Sequence, residues 1–290
     1  MKILRSTIWI LILSGALPLS AQNTLSKAFD EYKAGRLEEA RKLVEIAVID
    51  PSLMSEPNSW YLKGFIYKDL YKQKTEADST YRARQESVKA FEHLLGMKGA
   101  DKYFGDAHIN LRYLATTFYN DAVKRVDQLK FNSSKEAFDL FTHTLLLSTD
   151  TTISIRTREI DYYMTVASKS TAMHKSDTTG NTKYFETAVH AYEHVLEMDS
   201  ANIKANYNLA VIFYNEAVNI ISKLDYDAVD IFSFNAIEDQ SIDFFKESLP
   251  YMHRAQQLDP SNKNTIEGLA GIYFGLRDFE KSNYYKEMLK

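Results

Sequence analysis

The sequence lacks cysteine and contains little proline or glycine. The absence of cysteine from all 290 residues excludes disulfides, thiolate catalysis and cysteine-based zinc or iron–sulfur sites. The chain has only 5 prolines and 10 glycines, a pattern that does not favour a turn-rich β fold. An excess of positive charge is lacking as well, because 35 Lys and Arg against 39 Asp and Glu give a net charge of −4. We therefore expect no binding of nucleic acid.

The motifs of common catalytic sites are also absent. The sequence has no glycine-rich phosphate loop, no G-x-S-x-G turn and no glycine-rich dinucleotide turn. What is present instead is a large stock of aromatic side chains, with 19 Tyr and 16 Phe in a chain that is 45% hydrophobic. This composition favours long helices packed side by side. We therefore predict a protein that is not an enzyme and has no cofactor.

The first 21 residues differ from the rest of the chain. Lys2 and Arg5 precede an apolar run from Ile8 to Leu19, which ends in Ser20-Ala21-Gln22. A short basic region, an apolar run and small residues are typical of a secretory signal peptide. The run is too short for a comfortable membrane span. The sequence predicts a signal peptide over residues 1–21, a mature chain without a transmembrane helix, and a periplasmic location; a retained N-terminal anchor is the alternative.

Two segments of the chain match each other closely. Residues 114–123 and 209–218 share the pattern Leu-Ala-x-x-Phe-Tyr-Asn-(Asp/Glu)-Ala-Val, in which x is any residue. Both segments have apolar residues at helical spacing. They lie 95 residues apart, so further units are expected between them.

A second kind of helix alternates with the first and begins with a small residue on its inner face. Small residues let neighbouring helices approach closely. These small residues are Ala40, Ser87, Ala137, Ala188, Ser248 and Ser282. Successive members of this set are 47, 50, 51, 60 and 34 residues apart.

These patterns resemble the tetratricopeptide-repeat (TPR) family, whose 34-residue unit pairs a helix A with a helix B. Trp60, Gly64 and Tyr67 match helix A of that family, and residues 35–40 match its inter-helix turn. The resemblance implies an all-α, TPR-like right-handed α-solenoid over residues 22–290. We expect about six helix–turn–helix units, with insertions between helices A and B and with imperfect caps at both ends.

The insertions differ in character. Residues 72–84 are highly charged and are expected to extend a helix or to form a solvent-exposed loop, and residues 174–182 are expected to form a surface loop. Residues 224–242 carry aromatic side chains among acidic ones. They either extend a helix that packs on its own repeat or form an apolar contact surface or lid. Pro250 lies just inside a helix B that is expected to begin at Ser248, where it either marks the first turn or produces a kink.

The motif His190-Ala191-Tyr192-Glu193-His194 formally matches H-x-x-E-H, in which two histidines bind zinc. The repeat pattern places Tyr192 on the inward face of helix B, which turns both histidines outward. We therefore predict no metal site here.

In the TPR family the helix A faces line a concave groove that binds a partner. Tyr119-Asn120 and Tyr214-Asn215 recur at equivalent places, either as structural residues of shared ancestry or as a repeated ligand-facing pair. The carboxylate clamp of chaperone-binding members is not matched, because Met164 and Ser168 stand in the intervening unit. Carrying the groove positions over gives these candidates for partner binding: Tyr61, Phe65, Arg112, Thr116, Tyr119, Asn120, Lys204, Tyr207, Tyr214 and Asn215.

The sequence thus predicts a non-catalytic scaffold or adaptor of the bacterial cell envelope. Its expected partner is another protein or a peptide, bound in the helix A groove. The alternative is an exported binding protein for a small molecule, a peptide or a glycan. A pocket lined by residues 224–242 would favour that alternative.

Overall fold

The computed structural model describes residues 19–73, 77–176, 182–224 and 230–290. The predicted signal peptide therefore lies almost entirely outside the described residues. Within them the fold is all-α, with twelve α-helices, a single 3₁₀ turn at Asp101–Tyr103 and no strand. The helices are α1 Leu19–Lys33, α2 Leu37–Ile49, α3 Pro57–Gln73, α4 Ala77–Leu95, α5 Phe104–Asp127, α6 Phe131–Leu147, α7 Ile155–Ser176, α8 Lys183–Met198, α9 Ile203–Ser222, α10 Ile231–Leu258, α11 Lys263–Gly275 and α12 Phe279–Glu287.

Consecutive helices pair in the order α1–α2, α3–α4, α5–α6, α7–α8, α9–α10 and α11–α12. In the described part of the chain this gives six helix–turn–helix units, as the repeat pattern predicts. Each odd-numbered helix is a helix A and each even-numbered helix a helix B. The prediction of a TPR-like helical repeat fold is confirmed.

The small residues that mark each helix B are all buried, with at most 1% of the residue exposed. Where that residue is serine, its hydroxyl donates a hydrogen bond to a backbone carbonyl of the partner helix A. The bonds run from Ser87 to Gly64 at 2.8 Å, from Ser248 to Ala210 at 2.7 Å and from Ser282 to Ala270 at 2.8 Å. Each bond joins a pair of small residues, so the two helices of a unit approach closely at this point.

The insertions lengthen helices. Helix α10 begins at Ile231 and runs for 28 residues, so Ser248 and Pro250 lie in its interior. The prediction that a helix B begins at Ser248 is therefore wrong. The side chain of Asp230 sets the true start, because it accepts hydrogen bonds from the amides of Phe232 and Ser233 and so caps the helix.

Two other insertions are also largely helical. Helix α3 extends to Gln73 and α4 begins at Ala77, which places most of insertion 72–84 in a helix. Helix α7 continues to Ser176, so the expected loop at 174–182 begins later than predicted. Residues 74–76, 177–181 and 225–229, each within one of the three insertions, lie outside the described residues.

The chain divides into two compact units. The first unit comprises the described residues up to Ala122 together with Lys135–Ile153, and the second comprises Val123–Ser134 and Ser154–Lys290. A core cluster of the first unit includes Leu62 and Ile66. A core cluster of the second unit includes Phe245, Met252 and Leu269. None of the helices described is long and apolar enough to cross a membrane.

Candidate functional site

In the first unit, Arg112, Thr116 and Asn120 form a row on the exposed side of α5, which we call the α5 ridge. Successive members are four residues apart, so their side chains lie on one helix face. The Thr116 hydroxyl donates to the Arg112 carbonyl at 3.0 Å. These three residues are the part of the predicted groove that the first unit presents to solvent.

The guanidinium of Arg112 forms an ion pair with Asp150, in the turn that follows α6. Its Nη1 lies 3.4 Å from Oδ2 of Asp150. The hydroxyl and the backbone amide of Thr152 also donate to this carboxylate, at 2.6 and 2.8 Å. Those hydrogen bonds, with a smaller contribution from Arg112, hold the pKa of Asp150 below its usual value. Arg112 thus has an anionic partner and still exposes half of its side chain.

Tyr61 and Phe65 were predicted to face the groove, but the structure buries both, with 3% and 5% of each residue exposed. The Tyr61 hydroxyl donates to Asp106 Oδ2 at 2.6 Å, and burial raises the pKa of this phenol. Lys68 reaches from α3 to Asn110 on α5, with 2.9 Å between Nζ and Oδ1. The expectation that both side chains line an open groove is wrong, because Tyr61 is hydrogen-bonded to α5 and the Phe65 ring packs on Phe91 of α4, with 5.6 Å between the centroids.

Tyr119 and Tyr214 occupy equivalent positions in α5 and α9, and both rings are half-buried. The Tyr119 ring centroid lies 5.1 Å from that of Phe141 in α6, and the Tyr214 centroid lies 5.6 Å from that of Phe245 in α10. Both tyrosines therefore pack their helix A on its own helix B. Burial raises the pKa of Tyr214.

The asparagines that follow these tyrosines lie on the surface. Asn120 and Asn215 are both exposed, and neither side chain forms a hydrogen bond with any described residue. The recurring Tyr-Asn pair thus combines a packing residue with an exposed amide.

The remaining predicted residues lie on α9 in the second unit. Lys204 is exposed in the first turn of the helix. Tyr207 is half-buried and packs on the core cluster that contains Phe245. Asn215 borders a cavity whose set of lining residues was not predicted from the sequence.

This cavity, the amide cavity, lies within the second unit and has a volume of about 710 Å³. Ligand sites commonly have volumes of about 300–1,000 Å³. It is formed by the end of α7, the start of α8, and parts of α9 and α10. Its lining residues are Thr171, His174, Lys175, Thr182, Phe185, Glu186, Ile212, Asn215, Glu216, Asn219, Lys223, Gln240 and Phe244.

Aromatic and ionisable side chains meet in this cavity. Nε2 of His174 lies 2.9 Å from Oε2 of Glu216, which links α7 to α9. The His174 ring centroid is 5.3 Å from that of Phe185, and Phe185 is 5.8 Å from Phe244. The histidine is thus held by a carboxylate on one side and by an aromatic ring on the other.

The two histidines of the H-x-x-E-H motif have different surroundings. His190 is exposed, with 82% of its side chain accessible, whereas Tyr192 is buried. His194 lies 3.0 Å from Glu159 and packs on the Tyr163 ring. The described residues contain no group of three or more side chains that could hold a metal ion.

Sequence reasoning missed His174, Glu216, Asn219 and Gln240, because they come together only where extended helices meet. One signal was available: Asn215 and Asn219 are four residues apart in a predicted helix, which places two amides on one face.

Comparison with known proteins gave no family model and no curated protein that matches the chain. Among solved structures, the human IFIT1 dimer with m7Gppp-AAAA matches with 10% identity and a TM-score of 0.37, over 93% of this chain and 50% of IFIT1. The monomeric IFIT1 mutant with m7Gppp-AAAA gives 12% identity and a TM-score of 0.38, over 93% of this chain and 59% of that one. PilW, described as a widely conserved type IV pilus biogenesis factor, matches with 13% identity and a TM-score of 0.31. The match covers 94% of this chain and 93% of PilW.

The chain therefore spans 50–59% of the length of the IFIT1 chains that it matches. All three TM-scores are below 0.5, so these similarities define neither the fold nor the function.

Proposed function

We propose that this chain is a non-catalytic scaffold or adaptor of the bacterial cell envelope that binds another protein or a peptide through exposed helix A side chains. The observation that carries the proposal is the α5 ridge. It presents an arginine and an asparagine beside the exposed apolar side chains of Ile109 and Tyr113, which are 60% and 40% accessible. Arginine and tyrosine are enriched among the residues that dominate binding energy at protein interfaces.

Several ionisable groups of the first unit have a packing role. Tyr32, Tyr61 and Lys68 have pKa values shifted mainly by burial, and each is hydrogen-bonded inside the first unit. Their hydrogen bonds stabilise packing within the first unit, which gives the shifted pKa values a structural cause. Some exposed charged residues, such as Lys42 and Glu39, form pairs along single helices.

Export to the periplasm is the second part of the proposal. It is supported by the basic, apolar and small-residue pattern of residues 1–21. An envelope location would place the binding surface among secreted and membrane-attached partners.

The proposal can be tested by crosslinking the C-terminally tagged full-length protein in cells and identifying the proteins captured from the envelope fraction. We expect one or two dominant partners with the wild type and their loss with the variant Arg112→Ala/Asn120→Ala. A matched control, Lys135→Ala/Asp139→Ala, removes two exposed side chains from α6 in the same unit. Equal capture of the partners by the ridge variant would contradict the binding surface.

The amide cavity favours a second function, that of an exported binding protein for a small molecule, a peptide or a glycan. Native mass spectrometry of protein purified from its own host distinguishes the two functions. A bound molecule of constant mass supports the second, and an unloaded chain that captures an envelope protein supports the first.

A further inference from the structure

Two lysines border the amide cavity and come from different helices. Lys175 lies in the last turn of α7, and Lys223 directly follows the end of α9. Both side chains are exposed, and neither forms an ion pair or a hydrogen bond with any described residue. The cavity therefore presents two ammonium groups, each with three N–H donors, that can bind an anionic ligand.

The two carboxylates of the cavity have other partners. Oε2 of Glu216 lies 2.9 Å from Nε2 of His174. Oε1 of Glu186 accepts a hydrogen bond from the Thr182 hydroxyl at 2.7 Å. Because each glutamate is held by a neighbouring side chain, the positive charges of the lysines remain to select a ligand of opposite sign.

Three side-chain amides line the same cavity. They belong to Asn215 and Asn219 on α9 and to Gln240 on α10, and none of them forms a hydrogen bond within the described part of the chain. Each amide carries a carbonyl acceptor beside two N–H donors, so it can both donate to a hydroxyl group and accept from one. Three such amides suit a ligand that carries several hydroxyl groups.

The apolar part of the lining is aromatic. Phe185 and Phe244 are half-buried, with 5.8 Å between their ring centroids and an angle of 86° between their planes. Two perpendicular rings form a corner, whereas a flat ring system stacks best between parallel rings. The negative face of an aromatic ring attracts C–H groups, and a sugar ring carries C–H groups beside its hydroxyls. A sugar can therefore contact these rings while its hydroxyl groups bind the amides.

We propose that the amide cavity binds an acidic sugar, that is, a carbohydrate that carries a carboxylate, phosphate or sulfate group. Lys175 and Lys223 bind the anionic group, the three amides bind hydroxyl groups, and the two phenylalanines contact C–H groups of the sugar ring. This inference rests on the second function proposed above, because it names the chemical class of the small ligand.

The test probes a glycan array with the purified chain. The array carries neutral oligosaccharides and their counterparts with uronic acid, phosphate or sulfate groups, so it also identifies the source of the negative charge. We expect binding to acidic glycans and none to the neutral counterparts. Binding should weaken as the salt concentration rises, because salt screens the attraction between the lysines and the anionic group.

Isothermal titration with the best acidic glycan then tests the residues. The variant Lys175→Gln/Lys223→Gln should bind at least about tenfold more weakly, because charge-assisted hydrogen bonds are lost. The variant Asn215→Ala/Asn219→Ala should also bind more weakly. Circular dichroism of the lysine variant should match that of the wild type, because both lysines are exposed.

A matched control, Lys246→Gln/Lys263→Gln, removes the same charge from two exposed lysines of the second unit that do not line the cavity. This control should bind the acidic glycan as the wild type does. Equal weakening by the two lysine variants would overturn the inference, as would equal binding of neutral and acidic glycans.

The remaining outcomes separate this inference from the proposed function. A chain that binds no glycan on the array but still captures its envelope partner would overturn the inference and leave the scaffold function standing. A bound molecule that native mass spectrometry identifies as something other than a sugar would overturn the inference and leave the second function standing.

Discussion

The hydroxyl of Ser248 in α10 donates a hydrogen bond of 2.7 Å to the backbone carbonyl of Ala210 in α9, and both residues are completely buried. Ser87 and Ser282 form the same contact with Gly64 and Ala270 in two other units. This contact marks a point of close approach between helix A and helix B in these units. It therefore predicts which substitutions the repeat tolerates.

We expect Ser248→Ala to lower the free energy of unfolding by about 1 kcal/mol, because one buried hydrogen bond is lost and little volume changes. Ser248→Leu should cost more, about 1–3 kcal/mol or beyond, because there is no space for added methylene groups. Urea unfolding followed by circular dichroism measures both values. A Leu variant as stable as the wild type would contradict the close approach of α9 and α10.

At Gly64, helix propensity favours a larger residue, whereas the room available for a Cβ atom opposes it. Replacing glycine by alanine inside a helix usually stabilises it by up to about 1 kcal/mol. At Gly64, however, a Cβ atom would lie 2.6 Å from the Phe91 ring, so we expect Gly64→Ala to destabilise the protein. Gly105 in the first turn of α5 has no neighbour within 4 Å of such an atom, and Gly105→Ala should be neutral or stabilising. Thermal unfolding of both variants tests the difference in sign.

Arg84 is a buried cation that pairs with Asp121 of α5 and lies against the rings of Tyr71 and Phe118, 4.8 and 4.6 Å from their centroids. Its Nε and Nη1 atoms have no hydrogen-bond partner among the described residues. Removing only the carboxylate leaves this charge uncompensated, so we expect Asp121→Ala to cost about 3–5 kcal/mol. Arg84→Met keeps the volume and removes the charge, and it should cost much less. Equal losses in urea unfolding would contradict this explanation.

The protein should lose stability as the pH falls below about 6.5 because of His253, whose usual pKa is 6.5. Its Nε2 lies 2.7 Å from the Tyr273 hydroxyl, and burial, with a smaller contribution from Lys281, lowers its pKa in the folded state. The unfolded chain then binds the proton more tightly, and stability rises with pH across this range. Urea unfolding at several pH values should show a shallower fall between pH 7 and 5 for His253→Gln. Parallel curves for the two proteins would exclude this role of His253.

The repeat was predictable because small residues recur on the inner face of every helix B. Ala40, Ser87 and Ala188 are fixed by local helix packing, and a pattern within one helix is enough to identify them. The positions of the helix ends were harder to predict. The start of α10 depends on the cap at Asp230, and the extra turns that follow agree with the helical extension, one of the two alternatives for residues 224–242.

The candidate site was only partly predictable. Arg112 and Asn120 are predicted by carrying over the groove positions of the TPR resemblance, and the structure exposes both. The burial of Tyr61 depends on Asp106, 45 residues away, and the amide cavity requires His174 and Glu216 to meet across 42 residues. Such contacts between distant residues are set by the tertiary packing of whole helices, and the periodicity of one helix does not specify them.

The measurement that tests the account most directly is site-specific photo-crosslinking in cells, with a benzoylphenylalanine placed at Thr116 of the α5 ridge. The same probe at Asp139, exposed on α6 in the same unit, is the matched control. We predict a discrete adduct with one envelope protein from position 116 and none from position 139. An adduct that forms equally from both positions, or from position 139 alone, would contradict the claim that the helix A face binds the partner.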